Sequence, residues 1–318
     1  MTMLIDRRTL LAASLTAAVA TRAAAEPSSN VARFPIWPGA APGGEGLAVH
    51  DEVVRRSPDG PADDIAWPHV ATPMLTVVPA AKPNGAAVLL VPGGGYTRVA
   101  LGRTGSQMAH MFAARGVTAF DLLYRLPRDG WAAGPDTPLQ DGQRALRLIR
   151  ARAGEWGIDP KRIAVAGFSA GGHLAARLGS RAGTESYAPI DAFDQESARP
   201  TVVGLFFPVI TLHEPQAHAG SRRELLGTDT SEARVRAFSA ETDIPADMPP
   251  SFVAHAGNDP VVDPANSLLM YAALRAAQIP SELMIFELGG HGLPLVQPDG
   301  SPHPWPGLFE TFARRHGF

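Results

Sequence analysis

The chain of 318 residues contains no cysteine. That excludes disulfides, thiol nucleophiles and thiolate metal sites together, and an oxidising compartment is tolerated without any cross-link. Lysine is almost as scarce, with only Lys82 and Lys161, which argues against Schiff-base chemistry on a lysine. Charge of neither sign dominates: the formal net charge is −3, and such a mild negative balance argues against a nucleic-acid partner. No HExxH-like spacing of metal ligands occurs, so no metal is expected. Internal repeats are absent, and beyond the N-terminus no apolar run approaches the roughly 20 residues needed to span a bilayer.

What is present begins with Asp6-Arg7-Arg8-Thr9-Leu10-Leu11, followed by an apolar Ala/Leu run that ends in Ala23-Ala24-Ala25. Residues 1–25 read as a cleaved export signal, and the arginine pair points to the twin-arginine route. The alternative, an N-terminal anchor, is disfavoured because the apolar stretch 10–20 is too short to span a bilayer. A periplasmic or secreted protein is therefore expected, with no stable membrane association after cleavage. Residues 26–318 are expected to form one domain.

Short runs rich in Val, Ile, Leu and Phe recur at 74–78, 87–91, 118–123, 163–166, 203–207, 252–256 and 283–286. Helical periodicity lies between them, at 106–115, 139–156, 170–181, 265–277 and 306–315. This alternation predicts a doubly wound, mostly parallel sheet between two helical layers, with ligands at the carboxyl ends of the strands. Two stretches break the rhythm: the Pro- and Gly-rich lead 26–70 and the polar segment 212–250. The second is either a cap over the site or a surface excursion.

The strand at 163–166 runs into Gly167-Phe168-Ser169-Ala170-Gly171, a GxSxG turn followed by a small-residue helix. A serine at such a turn stands on strained backbone, and the flanking glycines relieve crowding around it. Ser169 is therefore the expected nucleophile, and the Ala170 amide a donor to a developing oxyanion. Upstream, strand 87–91 empties into Pro92-Gly93-Gly94-Gly95-Tyr96. The amides of Gly94 and Gly95 are expected to complete the oxyanion hole, since the spacing does not fit a GxGxxG phosphate cradle. Tyr96 is expected to contact substrate, with packing as the other possibility.

The acid and base should follow the nucleophile in that order, each in a loop after a strand. Asp259 directly follows strand 252–256, whereas Asp263 precedes Pro264 and looks like a helix cap. Asp259 is thus the expected acid, and His291, held between glycines after strand 283–286, the expected base. His173 reads as a supporting or packing residue and His255 as a core histidine. His213, His218 and His303 occupy loops from which a substrate is within reach.

WPGAAPG at 37–43, VPGGGY at 91–96, LLYRL at 122–126 and the run PLQDGQRALRLIRARAGEWGIDPKRIAVAGFSAGGHLA at 138–175 carry a resemblance. With PPSFVAHAGNDPVV at 249–262 and GGHG at 289–292, they resemble the bacterial acetyl xylan esterase-like α/β-hydrolases. The resemblance implies an α/β-hydrolase fold and a secreted serine esterase without a cofactor. Its substrates would be acetyl or other short acyl esters, small molecules or polysaccharides such as acetylated xylan. Relatives commonly carry an acidic residue beside glycine after PGGGY; here that segment is Leu101-Gly102-Arg103-Thr104-Gly105. A serine peptidase or general carboxylesterase on the same fold, and a non-catalytic glycan-binding relative, are the competing readings.

Overall fold

The computed structural model describes residues 31–318; the expected export segment, 1–25, lies outside the described residues. Strands β1 (Ala32–Pro35), β4 (Met74–Val78), β5 (Ala87–Val91), β6 (Thr118–Leu123), β7 (Ile163–Phe168), β8 (Val203–Phe206), β9 (Ser251–Ala256) and β10 (Ser281–Phe286) form one sheet. Its order is β1-β4-β6-β5-β7-β8-β9-β10. The run from β6 to β10 is parallel, and β4 and β1 extend one edge antiparallel.

The apolar runs explain this arrangement. In β5, Ala87, Leu89 and Val91 enter one core while Val88 and Leu90 enter another. A strand with no polar face must be covered on both sides. One cover is α1 (Gln107–Ala114) and α7 (Trp305–Arg315), through Phe112, Trp305, Phe309 and Phe312. The other is α2 (Thr137–Ala151), α3 (Ala170–Ser180) and α6 (Ala265–Ala276), through Leu146, Ile149, Leu174, Leu178, Met270 and Leu274. Each such side chain contributes about 1.5–3 kcal/mol when removed from water.

The helix expected over 139–156 is shorter. α2 stops at Ala151 and a 3-10 turn, Ala153–Trp156, follows, closed by Gly157 in the left-handed region at φ 63°. The lead, expected to be irregular, contributes β1 and a separate pair, β2 (Glu52–Arg55) with β3 (Ile65–His69). It is anchored on α2 by a buried group: the Asp141 carboxylate accepts the Trp37 indole N–H at 2.8 Å and the Arg125 amide and guanidinium at 2.8 and 3.0 Å. Segment 212–250 holds two short helices, α4 (Ala219–Leu226) and α5 (Glu232–Phe238).

Candidate active site

Ser169 sits between β7 and α3 at φ 55°, ψ −123°, a region that costs a side-chain-bearing residue on the order of 1–3 kcal/mol. Surrounding hydrogen bonds hold it there: its amide donates to Phe206 O at 3.1 Å, and its carbonyl accepts from Gly172 and Val209 at 2.9 and 3.0 Å. The glycines are sterically required. A Cβ on Gly167 would lie 2.2 Å from Gly171 O, and one on Gly171 would lie 2.1 Å from Val91 O.

The structure brings Ser169, His291 and Asp259 into one hydrogen-bonded chain. The Ser169 hydroxyl donates to His291 Nε2 at 2.9 Å, and His291 Nδ1–H donates to Asp259 Oδ2 at 2.8 Å. Phe207 packs edge-on against the imidazole, with ring centres 5.0 Å apart. Burial pushes the Asp259 carboxyl up, but the His291 hydrogen bond and the Val261 and Val262 amides outweigh it and hold the group below the usual carboxylate range. Asp263 turns to the start of α6, where it accepts the Ala265 amide at 2.8 Å.

His255 was expected to be a core residue and is fully buried, yet it also reaches this chain. Its Nε2–H is shared between Asp259 Oδ2 and Val262 O, both at 3.1 Å, and Nδ1 accepts the Ser267 hydroxyl at 2.7 Å. A neutral donor on the far side of Asp259 orients the carboxylate without adding charge. The sequence signal is His255 four residues before Asp259, legible only once the loop after β9 is known to fold back.

The amides of Gly94, Gly95 and Ala170 have no acceptor among the described residues; Gly94 and Gly95 line the same cleft as Ser169 and His291, and Ala170 directly follows Ser169 at the start of α3. Free donors of this kind stabilise an oxyanion by about 3 kcal/mol each. Gly94 adopts φ 137°, and a Cβ there would collide with Arg98 O. Tyr96 does not meet the expectation of substrate contact. At φ 59° its ring turns into the core, where it is 1% exposed and its hydroxyl donates to His173 Nδ1 at 2.8 Å. His173 Nε2–H donates in turn to Phe238 O at 2.7 Å. Burial, then the nearby Arg177, lowers the His173 imidazole to about 3, so this neutral bridge ties the glycine loop and α3 to α5. His213 lies 3.6 Å from Glu232 and His303 packs edge-on against Phe286; neither lines the cleft.

The cleft encloses about 560 Å³. Its lining includes Leu90, Met108 and Phe168 from below, and Arg56, Arg98 and His218 at the rim. In the segment after PGGGY, the Arg103 and Thr104 amides donate to the carboxylate of Asp63, from the lead, at 2.7 and 3.0 Å. A second carboxylate, Asp121, borders the cleft from β6 and accepts the Ser106 amide and hydroxyl at 2.7 Å each.

Burial raises the Asp121 carboxyl to about 6, only partly offset by the two Ser106 hydrogen bonds. A carboxyl raised by folding keeps its proton where the unfolded chain has lost it. Its contribution to stability is therefore lost as pH rises from the ordinary 3.8 through about 6. The change is on the order of 3 kcal/mol. Urea unfolding of wild type and Asp121→Asn at pH about 4 and about 7.5 should show wild type losing ground to the variant by roughly that amount. A difference that does not vary with pH would contradict it.

A mostly parallel sheet with a strained serine between β7 and α3, and histidine and aspartate after the last two strands, defines an α/β-hydrolase. Within that class, the chain belongs to the BD-FAE family, whose pattern matches residues 76–274. It is 36% identical over 211 residues to endo-1,4-beta-xylanase B of Butyrivibrio fibrisolvens, covering 65% of this chain and 32% of that one. To the acetylxylan esterase of Xylanibacter ruminicola it is 30% identical, covering 66% and 42%. The chain thus spans less than half the length of these two relatives. Among solved structures, the acetyl ester-xyloside bifunctional hydrolase of Caldicellulosiruptor lactoaceticus aligns with TM-score 0.70 at 30% identity, covering 90% of this chain and 97% of that one. The propionate-bound esterase Est2 of Thermogutta terrifontis aligns at 0.61 and 25%, covering 85% and 95%.

Proposed function

We propose that this protein is a serine esterase that removes short acyl groups, acetyl above all, from hydroxyl-rich substrates such as acetylated xylan or its oligosaccharides. The observation that carries the reading is the hydrogen-bonded chain from the Ser169 hydroxyl through His291 to Asp259, beside the open amides of the glycine loop. Ser169 Oγ attacks the ester carbonyl as His291 Nε2 takes its proton, and the amides of Gly94, Gly95 and Ala170 receive the oxyanion. Collapse expels the alcohol, which takes the proton from His291. Water, deprotonated by the same imidazole, then frees the acid and restores Ser169. No step draws on a cofactor or metal.

The small-acyl preference is supported by the inner lining, where Leu90 is fully buried and Phe168 and Met108 close in beside it. The polar rim leaves room for a hydrated alcohol half. Relatives that include an acetylxylan esterase favour the sugar ester. The pattern over residues 1–25 supports export, and no helix among the described residues is long and apolar enough to cross a membrane. We assign 26–318 to one hydrolase unit in which segment 212–250 forms a wall of the cleft through His218 rather than a detached lid.

A parallel screen tests this. p-Nitrophenyl acetate should be hydrolysed faster than the butyrate, and the butyrate faster than the octanoate, and acetate should be released from acetylated xylan. Hydrolysis of peptide amides without ester turnover would make the protein a peptidase instead.

A further inference from the structure

Helix α4 begins on an unusual cap. The first free amides of a helix are normally met by the short side chains of Ser, Thr, Asp or Asn. Here the cap is His218, whose Nδ1 accepts the Ser221 amide at 3.1 Å and lies 2.8 Å from the Ser221 hydroxyl. A ring nitrogen that accepts a backbone N–H carries a lone pair, so the proton of the neutral ring is on Nε2. Burial, and then the nearby His291, hold the imidazole below the ordinary histidine range, which keeps the ring neutral at neutral pH. The cap therefore fixes a tautomer.

That tautomer leaves Nε2–H without an acceptor among the described residues, on a ring that lines the cleft with Ser169 and His291. The ring stands beside the glycine loop: a methyl group on Gly95 would lie 3.8 Å from His218 Cε1. Arg98 and Val261 in the same lining are exposed and mark the mouth of the cleft, whereas Leu90 is buried and marks its inner end. An acyl chain suits the inner end, so the alcohol half of an ester occupies the mouth.

We propose that His218 is a specificity-determining residue whose Nε2–H donates to a hydroxyl or ring oxygen in the alcohol half of the bound ester. The assignment rests on the esterase reading above and deepens it. A sugar offers the donor hydroxyl and ring oxygens on carbons adjoining the ester bond; a p-nitrophenyl group carries its further oxygens only at the far, para end of the ring. Substrates with a polyhydroxylic alcohol gain a neutral hydrogen bond in a half-buried site, worth roughly tenfold in kcat/KM.

Two variants test it. In His218→Asn, the side-chain oxygen takes the place of Nδ1 and preserves the cap, while the donor at Nε2 is lost. In His218→Gln, the longer amide carries an N–H near the Nε2 position. The measurement is the ratio of kcat/KM on acetylated xylo-oligosaccharide to that on p-nitrophenyl acetate, with thermal unfolding of each variant alongside. The ratio should fall about tenfold in His218→Asn without loss of thermal stability, and recover in part in His218→Gln. An unchanged ratio, whether both rates fall or neither does, overturns the assignment, as does a Gln variant no better than Asn. If the unmodified protein hydrolyses the aryl ester but no sugar acetate, the sugar-ester reading falls and this assignment with it; if it hydrolyses both and the ratio holds, only the assignment falls.

Discussion

Replacing Ser169 by Ala should lower kcat on p-nitrophenyl acetate by about 10⁴- to 10⁶-fold, to the level that the oxyanion donors alone sustain. The size follows from the mechanism: without Oγ no acyl-enzyme forms, and His291 is left to activate water directly across a gap shaped for the serine. The protein should remain folded. Ser169 Oγ has His291 Nε2 as its side-chain partner, and alanine at φ 55° is no more strained than serine. Thermal unfolding should therefore shift by only a few degrees, on the order of 1 kcal/mol or less. Labelling by a fluorophosphonate gives an independent readout, expected for wild type and absent in the variant. A wild type that neither labels nor turns over would favour the glycan-binding alternative.

How much of this was legible in the sequence depended on whether the cause was local. β5 to β9 are buried on both faces, so their apolar runs stand out against the flanking polar residues. β1, β2 and the partly polar β3 carry charge or proline within four or five residues, and no alternation survives at that length. α4 and α5 span eight and seven residues, about two turns, too few for a period to emerge. The GxSxG turn was readable because backbone crowding at Gly167 and Gly171 dictates its composition.

Side-chain direction was not readable. Nothing beside Gly95 tells which way the Tyr96 ring turns; the positive φ and the buried His173 decide that. His255 looked like core because β9 is wholly buried, and its contact with Asp259 depends on a loop path that no periodicity encodes. His218 drew notice only as a loop histidine, because a capping role is ordinarily signalled by Ser, Thr, Asp or Asn.

Asp259→Asn is expected to cost about 10³- to 10⁴-fold in kcat at neutral pH, through the tautomer of His291 rather than through its position. All the hydrogen bonds to this carboxylate are donated to it: Oδ1 accepts the Val261 and Val262 amides at 2.8 and 3.1 Å, and Oδ2 accepts His291 and His255. Backbone amides can only donate, so the oxygen of an asparagine stays with them and its NH₂ faces both histidines. His291 must then present a lone pair at Nδ1 and carry its proton on Nε2, where it can no longer accept from Ser169. Asp263→Asn is the matched control. Its carboxylate accepts the Ala265 amide, a contact that asparagine makes equally well, so kcat should change by no more than about twofold. A larger loss in Asp263→Asn than in Asp259→Asn would transfer the acid role to Asp263, against a geometry in which Asp259, of the two aspartates, is the one hydrogen-bonded to His291.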